Sequence, residues 1–334
     1  MTRRFIAITA SVLALVVTTV PLFSQNLPRR QDDSIPSQVD MIYERGLEYL
    51  ARTQDASGAW PDNTGRQPGV VGLCVAAFLA HGEDPNHGRY ADVIRSGIEF
   101  ILEQQNASNG YIGNSMYNHG LATKALAEAY GVLDHPDLAE ALKKAVDLIL
   151  AAQSRNRFGG WRYTPESMDA DTSVAGAQIV ALFAARNAGI RVPDEAMRRG
   201  LNYMASCRNG NDGSFGYTSS SGGKPTLTAI GVLCFALAKE TDTRSFQTSV
   251  NYLRENLDFR DRHYPYYFEY YMSQALFHAD ESLWQDWNAR NIRYLATIQS
   301  SNGSFLGNQG TAFSTAGALM SLGLNYRFLP IYER

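Results

Sequence analysis

From Met41 to the end of the chain, apolar positions recur at helical spacing, in two alternating styles. The first style has a polar face. Tyr43, Leu47 and Leu50 begin it, and the pattern stops near Gln54. The second is apolar nearly all round and rich in small residues, at 70–80, 121–129, 173–185, 227–238, 269–278 and 314–322. Turns rich in Gly, Asn, Asp and Ser separate the two styles, at 55–58, 106–110, 209–213 and 300–303. Such residues end helices and accept left-handed backbone conformations. A helix apolar on all sides is buried on most sides, whereas one with a polar face looks outward. Gly72, Ala76, Ala175-Gly176-Ala177, Ala229, Gly231 and Ala316-Gly317-Ala318 let the apolar helices approach closely. The pattern predicts an inner ring of apolar helices inside an outer ring of amphipathic ones.

The pairs are copies of one template. Arg45-Gly46-Leu47-Glu48-Tyr49-Leu50, Gln54 and Gly58-Ala59-Trp60 set it: a basic residue, Gly, an aromatic and an aliphatic, Gln, then Gly-x-aromatic. It returns with Gly97, Phe100, Gln105 and Gly110-Tyr111, and with Lys144, Leu148, Gln153 and Gly160-Trp161. A fourth copy has Arg199-Gly200, Arg208 in place of the Gln, and Gly213-Ser214-Phe215. A fifth, around Tyr252, puts Leu257 at the Gln position and lacks the Gly-x-aromatic. The sixth has Arg290, Tyr294, Gln299 and Gly303-Ser304-Phe305. Six copies about 50 residues apart define a repeat protein. One helical pair cannot bury its apolar face alone, so the copies belong to one domain. Both ends of the array are apolar and neither carries a polar cap. The expectation is therefore a closed all-α (α/α)6 toroid over 41–334, with an open solenoid as the alternative.

The N-terminus adds a destination. Arg3-Arg4 precede an apolar run from Phe5 to Val20, then Pro21-Leu22-Phe23-Ser24. Residues 1–24 read as a signal peptide, with an uncleaved membrane anchor as the alternative because the run approaches spanning length. Residues 25–40 are polar, hold two prolines and show no period, so they read as a linker. The body is expected to be exported, to the periplasm or cell envelope in a bacterium, with membrane association through the N-terminus. A net charge of −3 and no basic stripe leave nucleic acid without a footprint. Cys74, Cys207 and Cys234 are odd in number and lack CxxC spacing, which favours small buried hydrophobes over a disulfide framework.

The template resembles the QW repeat of squalene and oxidosqualene cyclases, and more widely the α/α-toroid superfamily that includes protein prenyltransferase β subunits. Arg45-Gly46, Tyr49-Leu50, Gln54, Gly58 and Trp60 carry the resemblance, which spans about residues 41–334. It implies the toroid, with Gln and aromatic fastening each outer helix to the following turn. It also implies that reactive groups, where present, stand at the starts of the inner helices. There, Asp169-Ala170-Asp171-Thr172 looks like a degraded DxDD-Thr-Ala motif, in which the middle Asp of a class II terpene cyclase protonates an alkene. Asp169 and Asp171 match its first and middle acids; Thr172 stands where the last Asp belongs. Aligned on the threonine instead, Ala170 takes the middle place and the acid is lost. The plainer reading is that Asp171 or Thr172 caps a helix.

The aromatic run 264–271, with Tyr267 and Phe268, suits cation stabilisation, sugar stacking or plain packing, and Glu269 within it is a further candidate carboxylate. Tyr117, Asn118, His119, Thr226 and Phe313 stand at other inner-helix starts and suggest a pocket mouth, His119 fitting a hydrogen-bonded cap better than a ligand. No cofactor or metal is expected. The Asp-x-Cys of the prenyltransferase zinc set is missing, and so are the thioester Cys-Gly-Glu-Gln, a phosphate loop and GxSxG.

Three functions follow. The first is an exported, non-catalytic or degenerate toroid binding an apolar or glycan ligand or a protein. The second is a squalene/terpene cyclase-like isomerase using Asp169 or Asp171 as general acid. The third is an α/α-barrel glycosidase or polysaccharide lyase using Asp169, Asp171 and Glu269. Squalene-type cyclases enclose substrate between two barrels. On that ground a single barrel is expected to shield a carbocation poorly.

Overall fold

The computed structural model describes residues 35–62 and 65–332, and among these it is all-helical. The outer ring comprises α1 (Ser37–Thr53), α3 (Ala91–Glu103), α5 (Leu138–Arg155), α7 (Asp194–Ser206), α9 (Arg244–Glu255) and α11 (Glu281–Ile298). The inner ring comprises α2 (Pro68–His81), α4 (Met116–Ala129), α6 (Thr172–Asn187), α8 (Pro225–Leu237), α10 (Pro265–Ala279) and α12 (Thr311–Leu322). Each inner helix packs on the next, and α12 returns to α2, so the ring closes. This is the expected (α/α)6 toroid. Helix α1 starts at Ser37, so the last four residues assigned to a linker are helical instead. The signal segment and the rest of the linker lie outside the described residues. No described helix is long and apolar enough to cross a membrane.

The two styles of helix differ in burial as their sequences dictate. Every residue of α2 from Pro68 to Ala80 is buried, whereas α3 buries only a stripe that includes Ile94, Gly97, Ile98 and Ile101. Small residues set the spacing of the rings. A Cβ on Gly97 would meet the Val75 side chain at 2.6 Å, and one on Gly46 would meet Leu319 at 2.7 Å. Each template glycine thus seats its outer helix on the preceding inner helix.

The template glutamine joins adjacent repeats. Gln54 Nε2 donates to its own turn at Gly58 O (3.0 Å) and to Val93 O (2.9 Å) at the start of the next outer helix. Gln105 reaches Gly110 O and Ala141 O, and Gln153 reaches Gly159 O and Ala196 O. Gln299 closes the circle, donating to Gly303 O and to Ile42 O of α1, both at 2.9 Å. The basic residue works backwards: Arg45 Nη2 donates to Ser300 O at 2.8 Å, and Arg199 to Gln153 O at 3.2 Å. The aromatic fastens the same turn from inside, Trp60 Nε1 donating to Leu50 O at 2.7 Å and Trp161 Nε1 to Ile149 O at 2.8 Å.

Two turns are registered differently from the sequence reading. The left-handed glycine of the third repeat is Gly159 (φ 77°), giving Gly159-Gly160-Trp161. In the second repeat Ile112 is fully buried in the aromatic slot, while Tyr111 is half-exposed. The turn glycine has two reasons to be glycine. Gly58 has φ 83°, and a Cβ there would lie 2.1 Å from Ser96 O of the next outer helix. In repeat four, where Arg208 replaces the glutamine, Ser249 takes over part of the clamp: its Oγ donates to Gly213 O at 2.7 Å.

Gln299→Ala is expected to lower stability by about 1–3 kcal/mol, because it strands two carbonyls at the ring closure. Gly58→Ala is expected to cost more, since φ strain adds to a backbone clash. Urea unfolding measures both; a Gln299→Ala midpoint equal to that of the unsubstituted chain would rule out the clamp as a source of stability.

Candidate functional site

All six inner helices begin at one end of the ring, so the preceding turns together form a mouth. The turns also support one another there. Residues two places after the sealed aromatic, Tyr163 after Trp161 and Tyr217 after Phe215, accept through their carbonyls the N–H groups of Met116 and Thr172, each at 2.8 Å. Each turn thereby satisfies the first residue of the preceding inner helix. That register holds the Tyr163 and Tyr217 side chains side by side on the rim, their hydroxyls hydrogen-bonded to each other. The Arg162 guanidinium lies over both rings, 5.4 and 5.7 Å from their centroids. Inside the rim, Tyr117 of α4 stands 6.3 Å from Tyr163 and 6.4 Å from Tyr267 of α10, measured between ring centroids. Tyr267 in turn meets Tyr271 edge-on at 4.8 Å.

Asp171 is the N-cap of α6. Its Oδ1 accepts from Val174 N–H at 2.9 Å, the capping role the sequence allows. Oδ2 has no hydrogen-bond partner among the described residues and faces Arg162 Nε at 3.8 Å. Burial pushes this carboxyl above the usual range, against the pull of the Val174 N–H and of Arg162. Asp169 lies outside, mostly exposed, in an ion pair with the same guanidinium. The two candidate acids are therefore brought together by Arg162, which sits between them. They do not face each other across a cleft.

Glu269 belongs elsewhere. It is fully buried, both its oxygens lack partners, and burial pushes its pKa up to about 8, with Arg260 opposing. The groups that feel its charge are Tyr266, Tyr294 of the outer ring and Arg260. Tyr267 and Tyr271, one turn apart, share the face toward the axis; Glu269, midway between them in sequence, falls on the opposite face. Phe268 is fully buried and packs edge-on against Phe259 of the preceding turn at 5.2 Å.

Four more expected mouth residues are structural ties. Asn118 Oδ1 accepts from Gly69 N–H (3.0 Å), and its amide donates to Gln67 and Asn114, binding α4 to the start of α2. His119 Nδ1 accepts from Ile112 N–H (3.1 Å), which leaves Nε2 to donate to Ala145 O (3.0 Å). Burial lowers its pKa to about 4, so it is neutral and fully engaged. Thr228 and Thr315 perform the same task for Phe215 and Phe305, accepting the turn N–H at 3.0 Å. Thr172 Oγ1 donates to Gly216 O (2.7 Å), and Thr226 Oγ1 to Asp261 (2.6 Å). Tyr117 and Tyr267 stand inside the rim, and Phe313, at the start of α12, is half-buried against the core. Arg162, Tyr163 and Tyr217 were not anticipated. Their signal is the repeated offset, Trp161-x-Tyr163 and Phe215-x-Tyr217.

Below the mouth the axis is filled. Helices α4 and α10 are three places apart in a ring of six, hence opposite, yet Tyr117 meets Tyr267 across it. Deeper, Lys124 and Glu128 of α4 form a buried pair at 3.5 Å that interacts with Tyr270 of α10. The far end is closed by a 3-10 turn, Pro330–Tyr332, whose Ile331 and Tyr332 are buried, with Tyr332 in electrostatic reach of Tyr270 and Glu128. The three cysteines are buried and unpaired. Among the described residues no group of His, Cys, Asp and Glu is placed to hold a metal ion.

Solved structures resemble this chain at low identity. An inactive variant of an α-1,6-mannanase from Salegentibacter sp., in complex with α-1,6-mannotriose, superposes with a TM-score of 0.66 at 8% identity, covering 87% of this chain and 99% of that one. The type II terpene cyclase MstE from Scytonema superposes with a TM-score of 0.62 at 14% identity, covering 88% and 99%. Its complex with geranylgeranyl dihydroxybenzoate gives 0.61 at 15%. No family model matches the chain, and no curated protein matches it. At these identities the likeness establishes the fold alone. It also removes one expectation: a type II terpene cyclase is matched over nearly its whole length by this single toroid, so one barrel is no obstacle to that chemistry.

Stability should carry the mark of Glu269. Its folded pKa, about 8, exceeds its ordinary value of 4.5, so the native state binds the extra proton between them. Stability is then full below 4.5, falls as pH rises to about 8, and is flat above. Glu269→Gln should flatten that fall in urea titrations between those limits and leave the protein more stable at pH 9 than the unsubstituted chain. An unchanged slope would place Glu269 in contact with water.

Proposed function

We propose that this chain is an exported, non-catalytic toroid of the terpene cyclase and prenyltransferase-like repeat type, which binds the end of a glycan at its tyrosine-lined mouth. The observation that carries the reading is the contact of Tyr117 with Tyr267 across the axis, with Lys124, Glu128 and Tyr270 packed beneath it. A cyclase must enclose its whole substrate away from water. Here the enclosed volume is occupied by side chains, and the open surface lies at the rim.

The chemistry of the rim favours glycan over isoprenoid. Tyr163 and Tyr217 present exposed rings for stacking and hydroxyls for hydrogen bonding, Tyr117 and Tyr267 add aromatic surface behind them, and Arg162 adds donors between the two exposed rings. An isoprenoid would leave those donors unpaired on binding. Export rests on Arg3-Arg4 and the apolar run that follows them. Hydrolysis is disfavoured because Asp169 and Asp171 flank one guanidinium and Glu269 lies behind α10.

A second reading has one observation of its own. Asp171 is buried and holds a raised pKa, as a proton donor to an alkene requires. Arg162, 3.8 Å away, weighs against it. A cation that close destabilises a carbocation formed beside the acid.

Calorimetric titration with manno- and gluco-oligosaccharides is expected to give binding that falls at least tenfold in Arg162→Ala and in Tyr217→Ala. The same oligosaccharides should be recovered uncleaved, and squalene or geranylgeranyl substrates unchanged. Turnover of a polyprene that Asp171→Asn abolishes would overturn the proposal in favour of the cyclase.

A further inference from the structure

The fourth repeat departs from the template where a cavity opens. Helices α7, α8 and α9 enclose about 200 Å³ lined by Phe215, Val232, Phe235 and Phe246 on one side, with Arg208, Glu240, Thr243, Ser245 and Ser249 among the rest. A second hollow of about 170 Å³ shares Arg208 and Ser245 with the first and adds Arg244, Thr248 and the turn 209–213. Both lie where a template glutamine would reach from one repeat to the next. In the other clamped joints that amide bonds the turn glycine and the next outer helix, and closes the gap. Here the shorter Ser249 hydroxyl, already on the next outer helix, meets Gly213 O and Ser245 O instead, and Arg208 takes no part in the clamp.

Arg208 and Arg244 make no side-chain hydrogen bond or ion pair among the described residues. Arg208 is partly buried, and burial alone shifts its pKa, downward. The one carboxylate on the walls, Glu240, is exposed. An apolar cavity of about 150 Å³ admits benzene, so the phenylalanine-lined hollow has room for a ring or a short alkyl chain. Arg208 and Arg244 both line the second hollow, and a guanidinium suits a carboxylate.

We infer that the joint between the fourth and fifth repeats is a second binding site, taking a small organic carboxylate whose apolar body lies among Phe215, Phe235 and Phe246 and whose charge meets Arg208 and Arg244. The site is separate from the mouth and independent of what the mouth binds. Arg208, standing at the template glutamine's place, lines both hollows, which links the missing clamp to this surface.

The test compares hexanoate with hexanamide, equal in shape and differing in charge, by calorimetry on the mature chain. Hexanoate should bind at least tenfold more tightly. Arg208→Gln restores the template residue and keeps the fold, as the other repeats show; it should erase the preference while the melting temperature holds or rises. Arg244→Gln, on the surface, should weaken hexanoate about threefold. Equal binding of the two probes, no binding of either, or a preference that survives Arg208→Gln would each overturn the inference.

Discussion

A ring of helical pairs has to settle the backbone groups at every joint, and the side-chain amide of the template glutamine is the group on which this fold depends. A turn that enters an inner helix carries carbonyls and N–H groups that no helix satisfies, in a place largely closed to water. One amide nitrogen answers two of them at once, one carbonyl in its own turn and one at the start of the next outer helix, as Gln54 does for Gly58 and Val93. The second bond makes the device more than local. Repeated at four of the six joints, it fixes one pair against the next, and with Gln299 on Ile42 O it joins the last pair to the first.

The rest follows from that joint. The turn glycine must be left-handed and without a Cβ because the next helix's carbonyl lies against it. The aromatic slot seals the turn, and a side-chain acceptor on the inner helix takes the turn's last N–H. That acceptor is His119, Thr228 or Thr315, and their interchange explains why a buried histidine here has no chemistry to offer. The same geometry aligns the starts of the inner helices at one end, where tyrosines two places past the seal become the rim. At the fourth joint the amide is missing, a serine hydroxyl on the next outer helix lies against both carbonyls, and space appears.

One residue at these joints can face two demands at once. Asp171 shows the overlap most clearly: one oxygen caps α6 and the other is left to face Arg162. The contact with Arg162 is tertiary, and a sequence motif carries no information about it. Glu269 makes the complementary point. Its position in an aromatic run suggested the mouth, but alternate positions along a helix face opposite ways, and the tyrosines claim the axial side.

The sequence by itself determined the toroid. Its cues are local and repeated: helical period, a Gln at fixed distance from a Gly and an aromatic, small residues on the buried helices. Each acts through contacts within one repeat or the next, so six copies reinforce one reading. Capping by Asp171 and the burial of the cysteines were legible for the same reason. The two misread turns were errors of one residue: Tyr111 adjoins the slot that Ile112 fills, and a second glycine, Gly160, follows the left-handed Gly159. The mouth, by contrast, was decided by closure. Tyr163 and Tyr217 are 54 residues apart, and Tyr117 meets Tyr267 from the opposite wall, so no window of sequence holds the site. Whether the centre is a cavity or a packed core depends on side chains meeting across the ring, and that distance exists only once the ring has closed.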